Sequence, residues 1–317
     1  MAVVPTIDLA GDPASVPAAI DEACRTVGFF QIVGHGVDPV LEARAWAVAQ
    51  EFFGQPDAVK SGVGIPTGDA YGYGPFRAER LAASLGDVTP PDLKETFSVG
   101  PLPGRAEVAA DPAAAFVFSP TPWPSTMPSM ASIMSEYYDL LASLVARLMS
   151  RMAVALGLDP HVFASSIDRH TSALRLLHYP DLRGRGVEPG QLRAGAHSDY
   201  GTLTLLRQDD APGGLQVRDV GGRWHDVPAV DGAYVVNVGD TLARWTNDRW
   251  RSTVHRVVVP PADSVHDCSR QSIAFFHNAN WDAVIECLPG CAEPGEMPTY
   301  PPVTAGQHLM NKFRSTQ

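Results

Sequence analysis

Apolar residues recur every three to four positions in three segments of the chain, which is the spacing of one face of a helix. The segments are 16–27, 40–53 and about 130–156, and a glycine or proline follows each of them within three residues. The third segment is the longest, and its apolar positions lie on one side of the spiral. It therefore predicts a long amphipathic helix near the middle of the chain.

Shorter runs rich in β-branched and aromatic residues predict strands, since turn-forming residues bound each run. The runs are Val3–Leu9, Phe29–Val33, Ala173–Pro180, Ala233–Leu242, Arg251–Val259 and Arg270–Phe276. Short strands separated by turns suit an antiparallel sandwich or barrel. Two stretches rich in glycine or proline, 61–76 and 113–128, predict loops.

Composition fits a single enzyme-sized unit. The chain has 317 residues, 45% of them hydrophobic, which is enough for a large core. A formal net charge of −11 argues against nucleic acid as a partner. The N-terminus has no basic segment, and Arg147 and Arg151 interrupt the longest apolar zone, so neither a signal peptide nor a membrane span is expected. We expect a cytoplasmic monomer.

The four cysteines form no C-x-x-C pair, which favours reduced thiols over a disulfide framework. Cys287 and Cys291 could form a metal or disulfide pair by spacing alone, but Pro289 and Gly290 between them favour a plain turn.

A candidate metal site begins with His197 and Asp199. Residues two apart on a strand point to the same side, so this imidazole and carboxylate converge. The pattern alone is weak, because about one chance occurrence is expected in a chain of this composition. His255, inside a β-branched run, offers a third ligand, although a structural histidine is the simpler interpretation. Two histidines and a carboxylate form the facial triad of non-haem ferrous oxygenases.

A candidate carboxylate receptor follows the third ligand. Arg270 and Ser272 are two apart and so share one face of a strand. A guanidinium group beside a hydroxyl group suits a carboxylate ligand.

In this order of residues the chain resembles the isopenicillin N synthase-like branch of the 2-oxoglutarate/Fe(II)-dependent dioxygenases. The resemblance rests on the triad, on the Arg-x-Ser pair and on further segments in the order of the family. These are Val4–Leu9, Gly28–Val33, Glu51–Phe53, Asp92–Phe97, Leu203–Leu206, Gly213–Val217, Val236–Asp240 and Ser252–Val257.

The resemblance implies a mixed α/β, mainly β fold with a double-stranded β-helix (jelly-roll, cupin-like) core and flanking N-terminal and central helices. Within a single catalytic unit, 1–165 would form a mainly helical flank, 166–290 the jelly-roll core and 291–317 a C-terminal segment.

The resemblance also implies the cofactors and their residues. His197, Asp199 and His255 would bind Fe(II), while Arg270, Ser272 and Tyr179 would bind 2-oxoglutarate. Oxygen and a small organic substrate would complete the reaction, which releases succinate and carbon dioxide and oxidises the substrate through a ferryl intermediate. By strand parity, Ala274 and Phe276 share the inward face with Arg270, so we expect them to line an apolar pocket for oxygen and substrate. Leu206 and Leu215 are further candidates for this pocket, but the turn at Gly201 leaves their parity open.

Two other functions remain open at this stage. An oxidase like isopenicillin N synthase would use the same Arg-x-Ser pair for its own substrate and would take no 2-oxoglutarate. A non-catalytic barrel would bind a small molecule with structural histidines. For the dioxygenase, hydroxylation, desaturation or cyclisation is possible. A composition rich in Ala, Gly, Pro and Arg favours a bacterial secondary-metabolite or antibiotic pathway.

Overall fold

The computed structural model describes residues 3–101, 112–261, 267–292 and 295–314. Its strands are β1 (Thr6–Asp8), β2 (Phe29–Val33), β3 (Gly72–Gly74), β4 (Glu95–Val99), β5 (Ala173–Tyr179), β6 (Ala194–His197), β7 (Leu203–Gln208), β8 (Leu215–Arg218), β9 (Trp224–Asp226), β10 (Tyr234–Val238), β11 (His255–Val257), β12 (Arg270–His277), β13 (Val284–Ile285) and β14 (Val303–Thr304).

Twelve of the described strands form two sheets that together build the barrel, and β13 and β14 pair separately with each other. The larger has the order β1-β2-β10-β7-β12-β5-β4-β3, and the smaller has the order β6-β11-β8-β9. Most neighbouring strands are antiparallel, and β1 with β2 is a parallel pair. Apolar residues of both sheets pack together in the space between them. This is the mainly β, jelly-roll architecture that the sequence predicts.

The described part of the chain contains eight α-helices. They are α1 (Val16–Thr26), α2 (Pro39–Phe53), α3 (Asp57–Ser61), α4 (Pro112–Val117), α5 (Met130–Ala155), α6 (Ala164–Ile167), α7 (Asp240–Trp245) and α8 (Ala305–Arg314), with a 3-10 helix at Leu81–Leu85. The three helices predicted from apolar spacing are confirmed as α1, α2 and α5. No described helix, α5 included, has the length and apolar character that a bilayer crossing requires.

The core has two parts, and only one of them faces the barrel interior. The larger part lies between the sheet and α1, α2 and α5, where the methionines of α5 are fully buried. The smaller part lines the interior and includes Phe29, Val217 and Ala274. Alternation along each strand separates the two parts, because successive side chains point to opposite sides.

The structure adds strands that the sequence pattern did not reveal. The stretch 61–76, predicted as a loop, contains β3, and β4 follows in the same half of the chain. Both join the larger sheet through β5, so residues 1–165 supply four strands of that sheet in addition to helices. All four cysteines are free thiols.

Candidate functional site

His197, Asp199 and His255 come together at one end of the barrel interior. His197 ends β6 and His255 begins β11, and the two residues are direct partners in the smaller sheet. Asp199 Oδ1 lies 3.8 Å from His197 Nε2 and 3.7 Å from His255 Nε2. The three ligand atoms all lie within 4.8 Å of one another. One ion could contact all three.

Backbone carbonyl groups set the orientation of both imidazoles. His197 Nδ1 lies 2.7 Å from Gly195 O, and His255 Nδ1 lies 3.1 Å from Thr253 O. A carbonyl oxygen can only accept, so each Nδ1 carries the proton and donates it. Each Nε2 therefore presents its lone pair to the shared point, as in most histidine metal sites.

The Asp199 carboxylate is held by two polar residues. Its Oδ2 accepts hydrogen bonds from Thr204 Oγ1 at 2.5 Å and Asn237 Nδ2 at 2.7 Å, which leaves Oδ1 to face the imidazoles. Sequence reasoning missed both partners. Asn237 could have been found from the sequence, because it is a single amide within the apolar and aromatic residues of strand β10. A polar side chain in such a run indicates a specific partner.

The protonation states of His197 and Asp199 suit a metal. Burial, with the neighbouring His255, lowers the pKa of His197 to about 3, which keeps its imidazole neutral. Burial raises the pKa of Asp199, but the two histidines and its hydrogen bonds outweigh this and lower it, which keeps the carboxylate ionised. Neutral imidazole and ionised carboxylate are the forms that bind a divalent cation.

Replacing Asn237 with leucine should weaken iron binding about 10- to 100-fold, because the carboxylate loses the amide that fixes its orientation. Fe(II) affinity, measured by anaerobic titration, checks this. Gln31→Leu is the matched control: Gln31 is a buried amide on the adjacent strand and donates to Pro228 O instead. Equal iron affinity in the two variants would contradict the role given to Asn237.

Arg270 lies deeper in the interior, and only part of its guanidinium group is hydrogen-bonded within the described residues. Its side chain is 1% exposed, and Nη2 donates to Gln208 Oε1 at 2.7 Å. Nε and Nη1 are buried without a hydrogen-bond partner in the described part of the chain, and so is Ser272 Oγ. Buried donors without partners are costly, so this arrangement calls for an acceptor such as a carboxylate.

Tyr179 and a second arginine complete this pocket. Tyr179 pairs with Arg270 across β5 and β12, and its ring lies 5.1 Å from Arg270 Cζ and 5.8 Å from Arg193 Cζ. Sequence reasoning missed Arg193, which is fully buried and donates to the backbone oxygens of Pro212, Gly213 and Cys268.

The pocket carries excess positive charge. Burial, and then the charge of Arg270, lower the pKa of Arg193 to about 10, so it remains protonated near neutral pH. The carboxylate paired with Arg270 is Asp209, at 3.7 Å and 25% exposed. Two guanidinium groups against one partly exposed carboxylate favour an anionic ligand.

The four predicted pocket residues line the same interior space. Leu215 and Ala274 are buried there, while Leu206 and Phe276 are half-buried. Leu206 is paired directly with Ala274, and directly paired residues point to the same side of a sheet. Leu206 therefore points into the barrel interior, as Ala274 does. The interior therefore joins a candidate metal centre to an anion pocket along an apolar wall.

Comparison with known families agrees with this arrangement. The model of the 2OG-Fe(II) oxygenase superfamily matches residues 170–279, which include the triad and the Arg-x-Ser pair. The model described as the N-terminal region of a non-haem dioxygenase in morphine synthesis matches residues 4–126.

The chain is 33% identical over 306 residues to the 2-oxoglutarate-Fe(II) type oxidoreductase hxnY of Emericella nidulans, covering 94% of this chain and 83% of the relative. It is 32% identical to validamycin A dioxygenase of Streptomyces hygroscopicus, covering 98% of this chain and 85% of that enzyme.

Solved structures show the same architecture. A full-length Neurospora crassa protein, solved in complex with alpha-KG and thymine, superposes with a TM-score of 0.84 at 33% identity, covering 99% of this chain and 97% of that one. JOX2 in complex with 2OG, Fe and JA superposes with a TM-score of 0.78 at 32% identity, covering 99% of this chain and 85% of that one.

Proposed function

The chain belongs to the 2-oxoglutarate/Fe(II)-dependent oxygenases, and from that premise we propose that it oxidises a small organic substrate with His197, Asp199 and His255 as its iron ligands. Arg270, Ser272 and Tyr179 hold 2-oxoglutarate, and Leu206, Leu215, Ala274 and Phe276 line the space for oxygen and substrate.

One observation carries this proposal: the orphaned donors of Arg270 and Ser272 share the barrel interior with the triad. A 2-oxo acid with a second carboxylate fits such a pair of sites, because one end can chelate a metal while the other accepts from the guanidinium group. When bound by His197, Asp199 and His255, iron would supply the oxidative chemistry that turns 2-oxoglutarate into succinate and carbon dioxide and oxidises the substrate.

The chain's own residues provide orientation and shielding. The carbonyl groups of Gly195 and Thr253 keep both imidazoles in the metal-binding tautomer, and Thr204 and Asn237 turn one oxygen of Asp199 inward. The apolar wall excludes water from the space between metal and anion pocket, which strengthens the electrostatic contacts there.

The proposed function extends to the kind of substrate and to the role of the enzyme in the cell. The similarity to validamycin A dioxygenase of Streptomyces supports a step in bacterial secondary metabolism or antibiotic biosynthesis, by hydroxylation, desaturation or cyclisation. Free cysteines support a reducing compartment such as the cytoplasm. The net charge of −11 supports a small-molecule partner over nucleic acid. We further propose that the protein is a monomer that forms a single catalytic unit.

Isotope labelling tests the proposed reaction. With Fe(II), 2-oxoglutarate and labelled dioxygen, succinate should carry one labelled oxygen atom, and one carbon dioxide should form per succinate. An oxidase without 2-oxoglutarate would consume oxygen without forming succinate. A non-catalytic barrel would consume no oxygen in an iron-dependent way. Either result would overturn the proposal.

A further inference from the structure

The Asp240 carboxylate accepts hydrogen bonds from both segments that carry the proposed iron ligands. Its Oδ2 accepts from Ser198 Oγ at 3.3 Å, and its Oδ1 accepts from Ser252 Oγ at 2.5 Å. Ser198 lies between the first two ligands in the sequence, and Ser252 comes three residues before His255. One side chain therefore ties the segment of the first two ligands to the segment of the third.

The start of α7 also holds the backbone of the segment around Asp199. The amide of Asp240 donates to Asp199 O at 2.7 Å, and the amide of Thr241 donates to Gly201 O at 3.0 Å. Gly239 approaches this segment so closely that a Cβ atom there would lie 2.2 Å from Gly201 O. Asp240 therefore contacts the metal-binding segment through its main chain as well as through its side chain.

The C-terminal helix α8 supplies the third partner of the carboxylate. Lys312 Nζ lies 2.6 Å from Asp240 Oδ2. The Asp240 side chain is 13% exposed and that of Lys312 is 37% exposed, so solvent screens this ion pair only in part. The last turn of α8 also contacts the ring of Tyr200, which follows Asp199. Lys312 Nζ lies 5.8 Å from the centre of that ring, and the ring of Phe313 lies 6.0 Å from it.

The first turn of α8 is attached elsewhere in the protein. β14, which comes directly before the helix, pairs with β13, and the amide of Gly306 donates to Trp281 O at 2.9 Å. Gly306 also packs on the Trp281 ring, where a Cβ atom would approach to 2.5 Å. The contacts of the last turn with Asp240 and Tyr200 are therefore separable from the attachment of the helix as a whole.

The three donors around Asp240 require a carboxylate. An ionised carboxylate has two oxygens that only accept, so it can serve two hydroxyl groups and an ammonium group together. An amide in its place would offer one oxygen, and its NH2 group would face a hydroxyl group or the ammonium group. Hydrogen bonds to a charged acceptor are also shorter and stronger than neutral ones. Asp240 thus fixes the spacing of the ligand segments more firmly than a neutral residue could.

We propose that Asp240 is a positioning residue of the iron site and that it couples iron binding to the C-terminal helix α8. This inference rests on the proposed function and extends it to a part of the chain outside the barrel. Asp240 acts through Ser198, Ser252 and the backbone of Asp199. Iron fixes the ligand segments, and the fixed segments hold the last turn of α8. By linkage, a docked last turn strengthens iron binding by the same factor.

Iron affinity is the first test, measured by anaerobic titration of Fe(II) into the full chain without 2-oxoglutarate. Asp240→Asn should bind Fe(II) about tenfold or more weakly, since loss of a group that orients a ligand costs about 10- to 100-fold. Lys312→Met should lose about two- to fivefold, because a partly exposed ion pair contributes little. The double variant should lose no more than Asp240→Asn alone, because the two residues act as one unit.

Hydrogen exchange of α8 is the measurement that a merely structural role would not change. In the wild type, saturating Fe(II) should slow exchange in the last turn of α8 by the same two- to fivefold. The amides of α1 serve as the internal reference, since α1 packs on α5 and β2. In Asp240→Asn, saturating Fe(II) should leave exchange in α8 unchanged.

Arg314→Met is the matched control, because Arg314 carries the same charge on the same turn of α8 but is exposed, whereas Lys312 pairs with Asp240. It should bind Fe(II) and protect α8 like the wild type. Melting temperatures of the metal-free proteins report whether each variant folds. If Asp240→Asn does not fold, Ser252→Ala replaces it: this change removes one hydrogen bond to Asp240 and should also weaken Fe(II) binding.

Failures of the two proposals give different results. A wild-type protein that binds no Fe(II) overturns the proposed function and this inference with it. Normal Fe(II) binding without a change of exchange in α8 overturns the coupling to the helix. Equal Fe(II) affinity in the wild type and Asp240→Asn, with only a lower melting temperature in the variant, overturns the positioning role of Asp240.

Discussion

Replacing Asp199 with alanine should lower Fe(II) affinity by more than about a hundredfold and remove succinate formation. The carboxylate is the one anionic group of the triad, and two neutral imidazoles alone leave the charge of the ion uncompensated. Loss of a group that merely orients a ligand already costs about 10- to 100-fold, so loss of a ligand should cost more. In the described part of the chain, no other group of His, Cys, Asp or Glu side chains meets the geometry for a metal ion.

Anaerobic titration with Fe(II), followed by a metal assay of the washed protein, measures this effect. Asp219→Ala is a suitable control, because Asp219 also pairs with a histidine, His225, at 2.7 Å but lies near the surface. The control should bind iron like the wild type. If Asp199→Ala retained wild-type iron affinity, the metal would have to bind elsewhere.

Replacing Arg270 with alanine should weaken 2-oxoglutarate binding about 10- to 100-fold and leave iron binding unchanged. A hydrogen bond to a charged group is worth about 1.5–3 kcal/mol, which corresponds to this range of affinity. Arg270→Lys should also lose much of the affinity, because a point charge cannot replace the guanidinium geometry. The orphaned Ser272 hydroxyl group alone cannot compensate.

The KM for 2-oxoglutarate and its dissociation constant under anaerobic conditions both report this change. A comparison with 2-oxobutanoate, which lacks the distal carboxylate, isolates the contact: it should bind weakly to wild type and equally weakly to Arg270→Ala. Arg256→Ala is the control, since Arg256 stacks on Trp224 in the smaller sheet, 4.0 Å from the ring. An unchanged affinity in Arg270→Ala would show that the distal carboxylate binds another group.

Candidate site residues that lie two positions apart in the sequence could be predicted from the sequence alone. Side-chain alternation on strands predicted that His197 lies with Asp199 and Arg270 with Ser272. In the structure Asp199 lies just beyond the end of β6 and still comes close to His197, while Arg270 and Ser272 are two apart on β12. Long apolar periodicity likewise predicted α1, α2 and α5 well, because an amphipathic helix leaves a regular pattern.

The features that escaped prediction depend on contacts between distant segments. Arg193 belongs to no local pattern, and its role follows from carbonyl oxygens of two other loops. Glu79 and Arg175 are 96 positions apart and meet only because β4 and the 3-10 helix close one side of the barrel. Strand β3 has only three residues, two of them glycine, and so has no alternating pattern to detect.

The most direct test of the proposed function is an anaerobic titration of 2-oxoglutarate into the Fe(II)-loaded protein, followed by visible absorption. We expect the charge-transfer band of a chelated keto acid to grow until one 2-oxoglutarate is bound per protein. If iron binds but no band forms at any concentration, 2-oxoglutarate does not reach the metal, and an oxidase that uses Arg270 for its own substrate would replace the function proposed here.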